Sequence, residues 1–189
     1  MEGIIAAGLV GSLITLIIKA GIDALTETKK YKRELRKQVF QRKTNAVEIA
    51  MSWYQEALDN YSMLQQACES FGQGIDKFAL YRLHSSALKA DKLFNESSSR
   101  LNPIYLYYNF SDIESKHNSY SSMQYINYGI TEISKLDKLA HNVTPEEFDK
   151  LYKSAITIFK EMSKAIEDQK FTIVEIQNKL REEYQQFIA

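Results

Sequence analysis

The first eighteen residues constrain this chain most, because they contain a long run without a charged side chain. The run extends from Gly3 to Ile18, and Lys19 and Asp23 are the first charges after it. At about 1.5 Å of rise per residue, a helix of this length with its flanks just crosses a hydrocarbon core of about 30 Å. The chain begins with an acidic Glu2 rather than a basic stretch, which argues against a cleavable signal. We therefore predict a transmembrane helix over residues 1–26, in preference to a signal peptide or a buried core helix.

Basic charge is concentrated directly after this run. Residues 27–43 hold eight Lys/Arg against two Glu, a net charge of +6, whereas residues 44–189 carry a net charge of −5. The positive-inside tendency places the N-terminus outside and the bundle of residues 44–189 in the cytoplasm. We predict a basic juxtamembrane helix over residues 27–43 that contacts lipid headgroups, and RNA phosphates are the alternative ligand. The predicted headgroup residues are Lys29, Lys30, Lys32, Arg33, Arg36 and Lys37.

Small and polar residues recur along one side of the N-terminal run at spacings of three and four. Such a stripe is expected to face other helices or water rather than lipid. One interpretation is a ring of parallel helices around a water-filled pore. The alternative is that the small side chains only pack a dimer or trimer. The predicted pore-lining residues are Gly8, Ser12, Thr15, Lys19 and Asp23.

The rest of the chain has the pattern of a helical bundle. The whole chain has only two prolines and seven glycines, and the apolar residues after the basic segment follow helical spacing. We predict helices ending near Phe71, from about 75 to 94, and from Ser111 to about Ala140, with a loop at 95–100. Thr144, followed by Pro145 and Glu147, is a strong start signal for a last helix of about 40 residues. The predicted fold class is all-α, a transmembrane helix followed by a four- to five-helix cytoplasmic bundle.

Motifs for catalysis, metals and cofactors are not found. The single Cys68 excludes an intrachain disulfide, and the three histidines lack metal-ligand spacing. No phosphate-binding glycine loop or nucleophile motif occurs. We predict no cofactor, no metal and no enzymatic activity. One weak candidate pair, Lys135 and His141, resembles the Arg-then-His motif of the HEPN superfamily of helical RNases, with lysine in place of the arginine that holds the scissile phosphate.

Taken together, a single N-terminal span, a basic juxtamembrane helix and a small HEPN-like bundle resemble the small membrane accessory proteins of type VI-B CRISPR–Cas systems. The resemblance implies a bacterial inner-membrane protein that assembles with copies of itself into a ring-shaped pore. It also implies a depolarising role in antiphage defence and an RNA-guided RNA nuclease as a partner. Two alternatives stay open: a membrane-tethered HEPN-type RNase, and a non-conducting scaffold for a cytoplasmic partner.

Overall fold

The computed structural model describes residues 2–73, 77–140 and 143–188 of the chain. Side chains are described for Lys19, for Asp23 and from residue 25 onward, apart from 73–77, 140–142, 145 and 186–189. The described residues form five α-helices and no strand, which confirms the predicted helical bundle. These are α1 (Glu2–Gln73), α2 (Lys77–Tyr105), α3 (Ser111–Lys116), α4 (Ser119–Ala140) and α5 (Pro145–Ile188).

The prediction of an N-terminal transmembrane helix is wrong for the part of the chain that the structure describes. No helix within the described residues has a stretch long and apolar enough to cross a membrane. The physical reason is charge, because the side chains described in the first half of α1 include Lys19, Asp23 and the dense Lys/Arg cluster that follows. The side chains of 1–18, which carried most of the prediction, lie outside the described residues. The predicted single-pass location in a bacterial inner membrane is contradicted by the same finding.

The chain divides into two compact units, Met1–Asn45 and Ala46–Ala189. In the second unit, α4 packs against both α5 and α2, and α3 contacts α4 and α5. The part of α1 that belongs to this unit contributes apolar side chains to the same core. Buried side chains from four helices fill it, among them Tyr61, Leu64, Phe71, Leu83, Ile104, Ile126, Ile133, Met162, Ile166 and Leu180.

Aromatic contacts and one buried hydrogen bond hold the end of α1 against α5. The Phe71 ring lies 5.0 Å from the Tyr152 ring and 5.5 Å from the Phe159 ring, measured between centroids. The Tyr152 hydroxyl donates a hydrogen bond of 2.8 Å to the carbonyl oxygen of Phe71. Since the last carbonyls of a helix lack partners within it, this bond satisfies one that would otherwise be buried and unpaired.

The start of α5 follows the sequence prediction. The Thr144 backbone N–H donates to a Glu147 carboxylate oxygen at 2.9 Å, and the Glu147 N–H donates to the Thr144 hydroxyl at 3.4 Å. This reciprocal pair is a capping box, and it satisfies two backbone donors that the helix itself leaves free. The predicted helix of about 40 residues is confirmed, since α5 has 44 residues.

Helix α2 continues through residues 95–100, where the sequence predicts a loop. The hydroxyls of Ser97 and Ser99 donate to the carbonyls of Phe94 and Glu96, so they bond within the helix instead of ending it. Arg100 donates from Nη1 to Glu56 of α1 at 2.6 Å, which ties this part of α2 to the bundle. Tertiary contacts therefore outweigh the weak helix propensity of the serine run.

The predicted helix from Ser111 to Ala140 is interrupted. Helix α3 ends at Lys116, and Asn118 has a φ of 49°, which lies in the left-handed region. Asparagine tolerates this conformation better than most residues. Helix α4 then begins at Ser119, so two helices occupy the range for which the sequence predicts one.

Candidate functional site

The sequence predicts a basic segment over residues 27–43, and the structure places it within helix α1. Every residue from 25 to 42 is exposed. All six predicted headgroup residues therefore present their charges to solvent from one regular helix. None of the six forms an ion pair with any side chain that the structure describes. The positive charge of this segment is thus available to an anionic ligand.

Apart from Arg42, which lies on the opposite side, the basic residues of this segment fall within roughly 160° of the helix circumference. At 3.6 residues per turn, Lys29, Lys32 and Arg36 fall within roughly 60° of the helix circumference. Glu27 and Glu34 lie on the far side of the helix from them. A ligand that contacts the basic side consequently meets several positive charges and little negative charge.

An exposed apolar stripe lies beside the basic side. Tyr31, Leu35 and Val39 follow one another at intervals of four residues, so they share one face of the helix. Their side chains are 66%, 47% and 50% exposed. The segment is therefore amphipathic, because a positively charged side of the helix lies next to an exposed apolar side. We call these three residues the apolar stripe.

The structure describes only part of the predicted pore-lining stripe. The side chains of Gly8, Ser12 and Thr15 lie outside the described residues. Those of Lys19 and Asp23 are described, and both are exposed. The pore-lining assignment stays a prediction.

The structure describes only one member of the weak catalytic pair, Lys135. The Lys135 ammonium donates to Glu132 at 2.6 Å, one turn earlier in α4, and this hydrogen bond raises the pKa of Lys135. His141, its predicted partner, lies outside the described residues. A lysine already held by a carboxylate is a poor site for a phosphate, because the carboxylate neutralises its charge.

A pairing that sequence reasoning missed joins His84 of α2 to Asp137 of α4. The His84 Nδ1 lies 3.1 Å from an Asp137 carboxylate oxygen, and both side chains are 27% exposed. The two residues are far apart in the sequence, so only the packing of α2 on α4 brings them together. A carboxylate beside a histidine orients the ring, but its negative charge disfavours phosphate binding at this point.

Metal-binding groups are not assembled in the described part of the chain. No group of three or more His, Cys, Asp or Glu side chains is placed there to hold a metal ion. The thiol of Cys68 is buried, and burial raises its pKa to about 12, so it stays protonated.

Compared with protein-family models, with curated proteins and with solved structures, the chain has no match. The predicted resemblance to type VI-B accessory proteins and to HEPN domains therefore stays a prediction. The basic segment of α1 with its apolar stripe is the candidate functional site that the geometry supports best.

Proposed function

We propose that this chain is a non-enzymatic surface-binding module whose basic segment, residues 27–43, attaches the helical bundle to an anionic lipid surface. The observation that carries the proposal is the exposure of residues 25–42, most of a helical segment with a net charge of +6, beside an exposed apolar stripe. Helices of this type lie in the plane of a membrane interface, with the basic side at the headgroups and the apolar side at the acyl boundary. Such binding does not require a helix that crosses the bilayer.

The apolar stripe favours lipid over RNA as the ligand. Headgroup phosphates and RNA phosphates would both attract the basic side. Leu35 and Val39, however, have no role in contacting a phosphate backbone, whereas an interface with acyl chains removes their apolar surface from water. Half-exposed aliphatic side chains next to six cations therefore support a lipid surface.

We extend this proposal to two roles that the family resemblance implies. They are assembly of the chain with copies of itself, and support of an RNA-guided RNA nuclease in antiphage defence. Attachment to a surface favours both, because it raises the local concentration of everything attached. The permeabilising role depended on a transmembrane helix, so we do not extend the proposal to it.

Flotation with lipid vesicles tests the proposal. The full-length chain should float with vesicles that contain anionic phosphatidylglycerol and stay behind with vesicles of phosphatidylcholine alone. Each basic residue near such a surface contributes about 1 kcal/mol, so the triple variant Lys29→Gln, Lys32→Gln, Arg36→Gln should bind roughly a hundredfold more weakly. The matched control replaces three exposed lysines of α5, Lys150, Lys160 and Lys164, with Gln and should bind like the unchanged chain.

A second variant separates lipid from RNA. Leu35→Asn with Val39→Asn removes the aliphatic part of the stripe and keeps every charge, so vesicle binding should fall at least about tenfold. Binding to single-stranded RNA, if it occurs, should be indifferent to this change. Equal binding of the unchanged chain to anionic and neutral vesicles would contradict the proposal, as would RNA binding without vesicle binding.

A further inference from the structure

A cavity of about 270 Å³ that is partly open to solvent is lined by residues of α1, α2, α3, α4 and α5, and we call it the inner cavity. It is separate from the basic segment, since all its lining residues belong to the unit Ala46–Ala189. A volume of this order accommodates a molecule of roughly ten non-hydrogen atoms. The side chains that give it its chemistry are Trp53, Tyr54, Tyr61, Tyr105, Glu114 and Gln169.

The Tyr54 hydroxyl is a buried polar group whose one hydrogen-bond partner among the described residues is the Tyr105 hydroxyl. The Tyr54 side chain is only 2% exposed. Burial raises the pKa of Tyr54, and the nearby Tyr105 and Glu114 raise it further, which places the hydroxyl on their side of the cavity. A hydroxyl that donates one hydrogen bond can still accept another at its oxygen, so a ligand that donates to the Tyr54 oxygen would be favoured.

Glu114 is the only charged residue among those that line the cavity. One of its oxygens accepts a hydrogen bond of 2.7 Å from the Tyr105 hydroxyl. A carboxylate has further lone pairs, so it can still accept from a ligand. The cavity thus offers one negative charge and no compensating Lys or Arg in its wall.

The lining is also rich in hydrogen-bond acceptors and aromatic faces. The Tyr61 hydroxyl contacts only the Met123 sulfur, at 3.9 Å, and sulfur is a weak acceptor. Gln169, by contrast, is already engaged, because its amide nitrogen donates to the Ser119 hydroxyl at 2.9 Å. What the cavity lacks is a donor that carries positive charge.

A second cavity, of about 540 Å³, is lined by residues of α3, α4 and the junction between them. Glu114, Ser119 and Met123 line both cavities. Its wall also includes the exposed side chains of Tyr120 and Ser121. The Glu114 carboxylate therefore lies where the two cavities adjoin.

We propose that the inner cavity binds a small organic ammonium ion, with its charged nitrogen at Glu114 and Tyr54 and its carbon skeleton against the aromatic side chains. An ammonium group donates to the carboxylate and to the phenolic oxygen of Tyr54. Aromatic rings attract a cation through their negative faces, which adds to the ion pair. An anion would instead be repelled by the Glu114 carboxylate, and a neutral molecule would form no ion pair with it.

The single tryptophan of the chain makes this binding directly measurable, because Trp53 lines the cavity. The experiment titrates the full-length chain with benzylamine and follows tryptophan fluorescence, with isothermal calorimetry as a second readout. Benzyl alcohol, which has nearly the same shape and no charge, is the ligand control. We expect a saturable fluorescence change with benzylamine and at least about tenfold weaker binding of benzyl alcohol.

Two variants locate the ligand. Glu114→Gln keeps the size of the side chain and removes its charge, so benzylamine binding should weaken at least about tenfold. Tyr54→Phe removes only the hydroxyl and should weaken it a few-fold. Glu161→Gln, an exposed carboxylate of α5, is the matched control and should leave binding unchanged. Circular dichroism verifies that each variant is folded.

Three results would overturn the proposal. The first is the absence of any saturable response to benzylamine in the unchanged chain. The second is equal affinity for benzylamine and benzyl alcohol, which would show that charge has no role. The third is a folded Glu114→Gln variant that binds benzylamine as tightly as the unchanged chain.

Discussion

Helices α4 and α5 are in contact at Gly129, and the structure predicts whether a substitution there raises or lowers the stability of the protein. A Cβ added at Gly129 would lie 2.2 Å from the Met162 sulfur, 2.9 Å from its Cγ and 3.1 Å from its Cβ. The sulfur can rotate away, but the Met162 Cβ moves only with its backbone. Helices α4 and α5 would therefore have to separate slightly, in a core where Met162 is 1% exposed.

Two effects of Gly129→Ala oppose each other. Replacing glycine with alanine inside a helix stabilises it by about 1 kcal/mol, whereas overpacking a core costs about 1–3 kcal/mol. The net change should be a loss of about 1 kcal/mol in the free energy of unfolding, or roughly 2–4 °C in thermal midpoint for a chain of this size. In the Met162→Ala background the contacts with the sulfur and Cγ disappear, and only the contact with the Cβ at 3.1 Å stays. Gly129→Ala should then be neutral or stabilise the protein by up to about 1 kcal/mol there.

Urea unfolding followed by far-UV circular dichroism measures all four members of this double-mutant cycle. Gly72→Ala is the matched control, because a Cβ at Gly72 would meet no atom within 4 Å. It should stabilise the chain by at most about 1 kcal/mol. The reasoning would be refuted if Gly129→Ala raised the stability equally in both backgrounds, since α4 and α5 could not then be as close at this point as the structure shows.

Three further predictions concern single side chains. Cys68 is buried and its pKa is raised to about 12, so iodoacetamide should alkylate it negligibly in native buffer and fully in denaturant. Rapid alkylation in native buffer would contradict its burial. Thr144→Ala removes the hydroxyl that accepts from the Glu147 N–H, so the thermal midpoint should fall by about 2–4 °C, whereas Ser154→Ala on exposed α5 should change little. The hydrogen bond from Lys116, and then the nearby His117 ring, whose Nε2 lies 3.2 Å from the carboxylate, lower the pKa of Glu175 below its usual 4.5. The contribution of Glu175 to stability is therefore present above that value and is lost as the pH falls through the lowered pKa. Glu175→Gln should consequently reduce the difference in thermal midpoint between neutral pH and about pH 3, and an unchanged difference would argue against this pairing.

Features encoded within a few neighbouring residues were predictable from the sequence. The start of α5 depends on Thr144, Pro145 and Glu147, which lie side by side, and the structure forms the predicted capping box. The charge of residues 27–43 is likewise visible in the sequence alone, and the structure adds that it is exposed on a helix. Local chemistry decides both features, so no tertiary information was needed.

Features decided by tertiary packing were not predictable. The serine run at 95–100 resembles a loop, yet it stays helical because Arg100 reaches Glu56 across 44 positions of sequence. The break between α3 and α4 has only Asn118 as a local signal, and asparagine is common in helices as well as in turns. The inner cavity combines Tyr54, Glu114 and Gln169 from three helices, and nothing in their sequence spacing indicates that they share one space.

The transmembrane prediction rested on hydropathy alone. It used the run from Gly3 to Ile18, whereas the side chains described in α1 begin with Lys19. What remains well supported by geometry is the exposed segment after it. Its amphipathic character comes from the interval of four residues between Tyr31, Leu35 and Val39. This pattern is present in the sequence but is weaker than the charge pattern around it.

The most direct test of the central claim is vesicle flotation of the full-length chain beside the Lys29→Gln, Lys32→Gln, Arg36→Gln variant, as a function of anionic lipid content and salt. The account predicts binding that rises with anionic lipid, weakens as salt screens the charges, and falls roughly a hundredfold in the variant. Binding that is independent of lipid charge, or a variant that binds as tightly as the unchanged chain, would contradict it.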